Sequence, residues 1–329
     1  MMKQTQTAGL KEAVMLRLLS TLALLFLTAA AQAGADIADY PMQAQRVADG
    51  VYAIVSPAQD FPNEENLGWN SNAAFVETDE GLLVFDTGSS ETIGKALLQT
   101  IRTVSDAPIK WVINSHSHGD HWLGNGPFAQ ERPAEMIASD VAIELMEKMG
   151  LEWVDRFNNM TGGATGSFKP VPAKDAVTEA MARDFGGVEV QILFSGNSHS
   201  PGDIVFWLPQ KRVLLTGDTM YTQRPPATFD ADVQQWIAFL EKLGELEPEV
   251  VIPGHGPVAG AESITQLHDY FDTLWSGVAA GYDEGLMDYE IAPKVKAQMK
   301  RFEPAYPGLY ERLGESVSHV YLQVEAAMF

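Results

Sequence analysis

Asn114-Ser115-His116-Ser117-His118-Gly119-Asp120-His121-Trp122 gathers three imidazoles and a carboxylate between positions 116 and 121. It follows Lys110–Asn114, a run rich in Trp, Val and Ile that reads as a strand. On a helix, residues two apart point about 200° from one another, so His116 and His118 could not share an ion there. At a strand end both rings can face one side. Gly119 is expected to supply a tight bend that turns Asp120 and His121 toward a second ion. This differs geometrically from a helical H-E-x-x-H site. Core packing gives no reason to concentrate such groups in a loop, and metal binding does.

Three further candidates follow later strands. His199 lies in Ser198-His199-Ser200-Pro201-Gly202-Asp203, Asp218 in Leu215-Thr216-Gly217-Asp218-Thr219, and His255 in Pro253-Gly254-His255-Gly256-Pro257. Each falls beside a glycine at a strand's carboxyl end, where loops converge on one rim of a sheet. Five of the seven histidines are used this way. His268 and His319 lie in predicted helices and read as surface or satisfied core residues.

Around these motifs the chain alternates short apolar runs with amphipathic segments. Val51–Val55, Ala73–Glu77, Leu82–Asp86, Met136–Ala138, Val188–Phe194, Ile204–Leu208, Arg212–Leu215 and Val250–Ile252 read as further strands. Helices are predicted from Ser89 or Ser90 to Val104, Ser139 to Met149, Asp232 to Leu246 and Glu262 to Trp275. Leu151 to Lys174, with three glycines between 162 and 166, reads as a mobile loop of the kind that covers a site. Hairpins mixed with strand–helix units imply an α/β (α+β) fold of four layers, with two mixed sheets between outer helices. The expected division is a catalytic domain over 34–275 and a helical extension over 276–329, which carries the basic cluster Lys294, Lys296, Lys300 and Arg301.

The N-terminus reads differently. Lys3, Lys11 and Arg17 precede an apolar run from Leu18 to Ala31, too short for a membrane span and suited to a signal peptide. Ala31-Gln32-Ala33 places cleavage after Ala33, so residues 1–33 are an expected export signal leaving no membrane anchor. The signal holds three bases and one acid, so removing it takes the net charge from −22 to −24. Such a charge disfavours nucleic-acid partners. With 46% hydrophobic residues the 329-residue chain can bury a large core, and without cysteine it has no disulfide, thiolate ligand or thiol nucleophile. A thiol-free exported chain suits a bacterial periplasm.

The H-x-H-x-D-H pattern with its three later ligands resembles the metallo-β-lactamase superfamily over roughly Val47 to Trp275. The resemblance implies an αβ/βα sandwich with a dinuclear site. By position, His116, His118 and His199 would hold one ion, Asp120, His121 and His255 the other, and Asp218 would bridge them. Asp86, in Phe85-Asp86-Thr87-Gly88, matches a buried acid that orients the ligand loop, although an ordinary turn aspartate reads equally well. Nitrogen and oxygen donors favour two Zn2+, with iron or manganese feasible. Two such cations acidify a shared water for attack on an ester, thioester, lactone or amide carbonyl, with Asp120 relaying its proton.

Arg224 is the candidate for holding a substrate carboxylate and Tyr221 for an oxyanion hydrogen bond, each beside a surface-loop reading. For Trp69 and Trp122, core packing outweighs a role as pocket wall. The expected partner is a small-molecule substrate. Asp218 and His121 depart from the β-lactamase pattern of the superfamily and look closer to its glyoxalase II and broad hydrolase branches. A β-lactamase, an iron-dependent persulfide dioxygenase-like enzyme and a non-catalytic metal-binding protein stand as alternatives.

Overall fold

The computed structural model describes residues 35–57 and 60–328; the expected signal peptide lies outside them. One sheet is ordered β1 (Ala44–Ala48), β2 (Val51–Ile54), β3 (Ala73–Thr78), β4 (Gly81–Phe85), β5 (Ile109–Ile113), β6 (Glu135–Ser139) and β7 (Asp175–Val177). Its first four strands pair antiparallel, and β4 to β7 run parallel. The second sheet holds β8 (Met181–Phe185), β9 (Val188–Phe194), β10 (Ile204–Leu208), β11 (Val213–Leu215) and β12 (Val250–Ile252). There only β11 and β12 pair parallel.

Helices α1 (Glu91–Arg102), α2 (Gly119–Trp122), α3 (Asn125–Gln130) and α4 (Asp140–Met160) share a core with the first sheet. Helices α5 (Val233–Glu245), α6 (Glu262–Asp283), α7 (Asp288–Met299) and α8 (Leu309–Ala327) share one with the second. The sheets meet face to face over a third core, giving the four-layer sandwich. Period-two alternation builds it: Leu82 and Val84 face α1, while Leu83 and Phe85 face the other sheet. Phe206 and Leu215 likewise fill the intersheet core, and Val205 and Leu214 face the α5–α8 layer. Strands covered on both faces are apolar throughout, which is why β4, β10 and β11 stood out in the sequence.

Three expectations change. The helix expected to end at Met149 continues to Met160, taking up much of the expected 151–174 loop. At Gly150 a Cβ would lie 2.9 Å from the Trp122 ring and 3.0 Å from Pro170, so the glycine lets the helix pack closely there. Val154 and Phe157 then continue the buried stripe. The boundary drawn at 275 falls inside α6, which runs to Asp283. Phe271 and Leu274 before that boundary share one core with Val295, Met299 and Val320 beyond it. Finally, β1, β7 and β8 were not expected. All three are edge strands, and β1 and β8 bury only Phe185 between them, so neither shows the apolar alternation of a core strand.

Candidate metal centre

Strand ends deliver the site. β4 stops at Phe85, and Asp86 takes a left-handed φ of +61°, which a short polar side chain tolerates. Its buried carboxylate accepts from the Ser115 amide, the Ser115 hydroxyl and His121 Nδ1, each at 2.8 Å. Asp86 therefore ties β4 to the ligand loop after β5. At His118 the chain is extended (φ −70°, ψ 138°), and α2 then folds Asp120 and His121 back. The bend expected of Gly119 is not a left-handed turn, since its φ is not positive. A Cβ there would stand 2.9 Å from Trp153 and Phe157, so glycine lets α4 approach.

His199 sits in the connection between β9 and β10. The buried Asp203 carboxylate accepts from the His199 amide at 2.9 Å, the Ser200 amide at 2.9 Å and the Ser200 hydroxyl at 2.5 Å. Burial pushes the Asp203 carboxyl up to about 6 against the pull of those donors. Asp218 and His255 follow β11 and β12, whose parallel pairing brings both ends to one edge. The Gly254 amide donates to the Gly217 carbonyl at 2.7 Å, locking the two loops together.

The hydrogen bonds also set which ring nitrogens turn toward the cluster. Asp86 takes the Nδ1 hydrogen of His121 at 2.8 Å, and Asp230 the Nε2 hydrogen of His118 at 2.9 Å. The Asn70 carbonyl only accepts, so His255 Nδ1, 2.6 Å away, carries the hydrogen. Ser115 spends its own hydrogen on Asp86, so at 2.9 Å it accepts from His116 Nδ1. On each of these four rings the other nitrogen is the one turned toward the cluster, the arrangement that presents imidazoles to a metal.

Those nitrogens converge. One atom each from His116, His118, His199 and Asp218 fall within 4.8 Å of one another, as do atoms of Asp120, His121 and His255. Asp218 reaches His121 Nε2 at 3.0 Å through Oδ1, and His255 Nε2 at 3.1 Å and His199 Nε2 at 3.4 Å through Oδ2. His118 Nδ1 and His199 Nε2 lie 2.9 Å apart. Donors about 2.0–2.1 Å from a tetrahedral zinc stand about 3.3 Å from one another, so the spacing fits. Among the described residues, His116 Nε2, His121 Nε2 and Asp218 Oδ1 are buried and find no well-formed hydrogen bond. Unsatisfied buried atoms are costly, and a cation is what this donor set would satisfy.

Protonation is displaced throughout the cluster. Burial pushes His199 down to about 3, its neighbouring imidazoles adding to the shift and Asp218 opposing it. Burial also lowers His116. Burial opposes the charged form of His121, yet Asp218, Asp120 and Asp86 together hold it well above the usual range. Burial disfavours the Asp120 and Asp218 carboxylates too, and the surrounding imidazoles outweigh it, keeping both below the usual range.

The other candidates fall as follows. Tyr221 is buried, and its hydroxyl donates to Asp218 Oδ2, which commits its single proton to that carboxylate. Arg224 is buried beside His255 and lines the cleft above the cluster. Trp69 and Trp122 belong to the core under α1 and α4. The cleft is walled instead by Phe61, Trp153, Phe157 and Phe229, with Arg156 also lining it. Trp153, Arg156 and Phe157 come from α4, so a helix does the covering expected of a loop. His268 sits on α6 near Glu241, and His319 on α8 against Thr228. Sequence reasoning missed Asn70, which donates to Asp120 Oδ2 at 2.9 Å, and Asp230. Asn70 in Trp69-Asn70-Ser71-Asn72 offered the only hint, a polar run between apolar ones.

With that geometry in view, relatives can be placed. A linear primary-alkylsulfatase from Pseudomonas sp. is 25% identical over 289 residues, covering 75% of this chain and 54% of the relative. A type 2 metallo-beta-lactamase from Bacteroides fragilis is 26% identical over 227 residues, covering 67% and 81%. Among solved structures, the metallo-beta-lactamase from Pontibacter korlensis superposes with a TM-score of 0.56 at 20% identity, covering 70% of this chain and 99% of that one. An inverting sec-alkylsulfatase from Pseudomonas sp. gives 0.63 at 20%, covering 86% and 50%. The chain thus spans about half the length of the alkylsulfatases it matches. The metallo-beta-lactamase superfamily profile matches residues 67–255, which run from the Asn70 loop to His255 and take in every clustered donor. Matched over more than half its length, the chain belongs to that superfamily.

Proposed function

We propose that the protein is an exported, zinc-dependent hydrolase of small-molecule ester, thioester, lactone or amide bonds. His116, His118 and His199 would hold one ion, Asp120, His121 and His255 the second, and Asp218 would touch both. The convergence on one cluster of buried His116, His121 and Asp218 atoms that find no well-formed hydrogen bond among the described residues carries this reading. When bound, such ions acidify water to a nucleophile at neutral pH and polarise the substrate oxygen.

The chain's own residues supply the rest. Asn70 fixes Oδ2 of Asp120, which leaves Oδ1 to accept the proton of the attacking water and pass it to the leaving group. The lowered pKa of Asp120 suits a relay that does not retain the proton. Burial, then Asp218, pushes the Tyr221 hydroxyl well above its usual range, so it remains a donor that orients Asp218. The aromatic walls exclude water and hold an apolar portion of the substrate.

A second reading, hydrolysis of an alkyl sulfate ester, has support from the alkylsulfatase similarity. That similarity covers 86% of this chain against 70% for the lactamase structure. Metal quantification on protein purified without added metal, then assay of that preparation on lactam, lactone, thioester and alkyl sulfate substrates, separates the two. Turnover of the carbonyl substrates that is lost in His118→Ala supports the first reading. Turnover confined to the sulfate ester overturns it.

A further inference from the structure

The Arg224 guanidinium is 7% exposed and poorly compensated. Among the described residues its Nε has no hydrogen-bond partner. Nη1 lies 2.6 Å from His255 Nδ1, but that nitrogen carries the hydrogen it gives to Asn70, so it cannot accept a second donor. Among the described residues the remaining hydrogen bond is Nη2 to Asp60 Oδ1 at 3.4 Å, the outer edge of one, while the Phe61 and Tyr221 rings stand 5.9 Å from the guanidinium. Arginine does not escape such a position by losing its proton, so the charge stays. The backbone keeps it there. Gln223 takes a left-handed φ of +52°, and Pro225 and Pro226 follow, which restricts Arg224 to extended conformations. A buried, rigidly presented and underpaired cation beside the reactive cluster is costly unless an anion completes it.

Asp60 meets that need only in part, because a second arginine holds it more firmly. Arg312, from α8, reaches Asp60 Oδ1 through Nη2 at 2.5 Å and Oδ2 through Nε at 3.3 Å. Its guanidinium also lies over the Phe61 ring at 4.1 Å, with Glu315 a further 3.8 Å neighbour. The Asp60 carboxylate is 53% exposed, so it can move. Phe61, next to it, walls the cleft that Arg224 lines.

We infer that Asp60 is a built-in stand-in for an anionic group of the substrate, sharing Arg224 until a substrate carboxylate or sulfonate displaces it onto Arg312. The inference rests on the hydrolytic reading of the site and narrows its substrates to those carrying an anion apart from the scissile bond. Arg312 is a positioning residue, keeping Asp60 within reach of Arg224 without letting it settle there. The displacement is inexpensive because the stronger of the two pairs is retained throughout.

The test is calorimetric binding of phenylacetate and of its neutral isostere phenylacetamide to the zinc-loaded protein. Asp60→Asn removes the competitor and is expected to tighten phenylacetate about fivefold. Arg312→Gln releases Asp60 onto Arg224 and is expected to weaken it by a similar factor. Arg224→Gln abolishes both effects, and phenylacetamide is indifferent to all three substitutions. A merely structural role would move the Asp60 and Arg312 variants in one direction, and that result overturns the inference. So does unchanged phenylacetate affinity in Arg224→Gln, which would put the anion on the metals alone. Failure of every substrate in the turnover panel would count against the hydrolytic reading only, since these arms read Arg224 without chemistry.

Discussion

Replacing Gly254 by alanine tests whether the parallel β11–β12 edge holds Asp218 and His255 in register. A Cβ at 254 would stand 2.6 Å from the Gly217 carbonyl carbon and 2.9 Å from the Asp218 amide nitrogen, and closer still to Asp218 Oδ1. A carboxylate tip can swing aside, but two backbone atoms cannot. Ordinary contact begins near 3.4 Å, so the two loops must part by about 0.8 Å. That movement strains the 2.7 Å bond from the Gly254 amide to Gly217 and the 2.8 Å bond from the Asn72 amide to the Gly254 carbonyl. Overpacking of this kind costs about 1–3 kcal/mol. The effect on function should be larger, because a displacement near 1 Å in a catalytic constellation costs about 100-fold in rate. Chelator competition would measure zinc affinity and thermal melting the fold. The expected variant is folded, loses one or both tight zinc sites and loses at least about 100-fold in turnover. A variant that binds two zinc ions as tightly as wild type would refute the argument that these glycines set the ligand spacing.

Asp86→Asn leaves the size of the side chain but puts an amide against His121 Nδ1, Ser115 or its amide, all three of which donate to the carboxylate now. Metal affinity should fall about 10- to 100-fold, read by chelator competition. Arg183 of β8 and Glu135 of β6 join the two sheets through bonds of 2.8 and 2.5 Å. The arginine's hydrogen bond holds the Glu135 carboxyl below its usual range, so the pair stabilises above the ordinary carboxylate pKa and is lost as pH falls through the lowered one. With 31% of each side chain open to solvent, the expected contribution is about 1 kcal/mol. Glu135→Gln should flatten that part of the stability–pH curve in denaturant titrations at pH 3 to 6. Ending the chain after Trp275 should abolish cooperative unfolding, because Phe271 and Leu274 would lose their partners Val295, Met299 and Val320.

The candidate metal cluster was legible because its donors sit in short strand-end motifs whose chemistry has no packing explanation. His116, His118, Asp120 and His121 fall within six positions, Asp218 and His255 each adjoin a glycine, and His199 lies three residues from Gly196 and Gly202. Their supporting groups were not. Asn70, Asp230 and Arg312 carry little local signature, since the partners that give them a role lie 50, 112 and 252 positions away. Gly119 misled for the same reason: it suggested a bend, while the Trp153 and Phe157 rings pressed against it make it a spacer.

The sequence by itself determined the two-sheet frame and the donor set, since alternation and strand-end chemistry are properties of adjacent residues. Only the tertiary structure decided how the core runs on past 275, which nitrogen of each ring turns toward the cluster, and which cation faces the cleft. Those depend on what the fold places opposite a residue. Core continuity through α6, acceptors such as Asp86 and Asn70, and the sharing of Asp60 by two arginines exist only once distant segments have met.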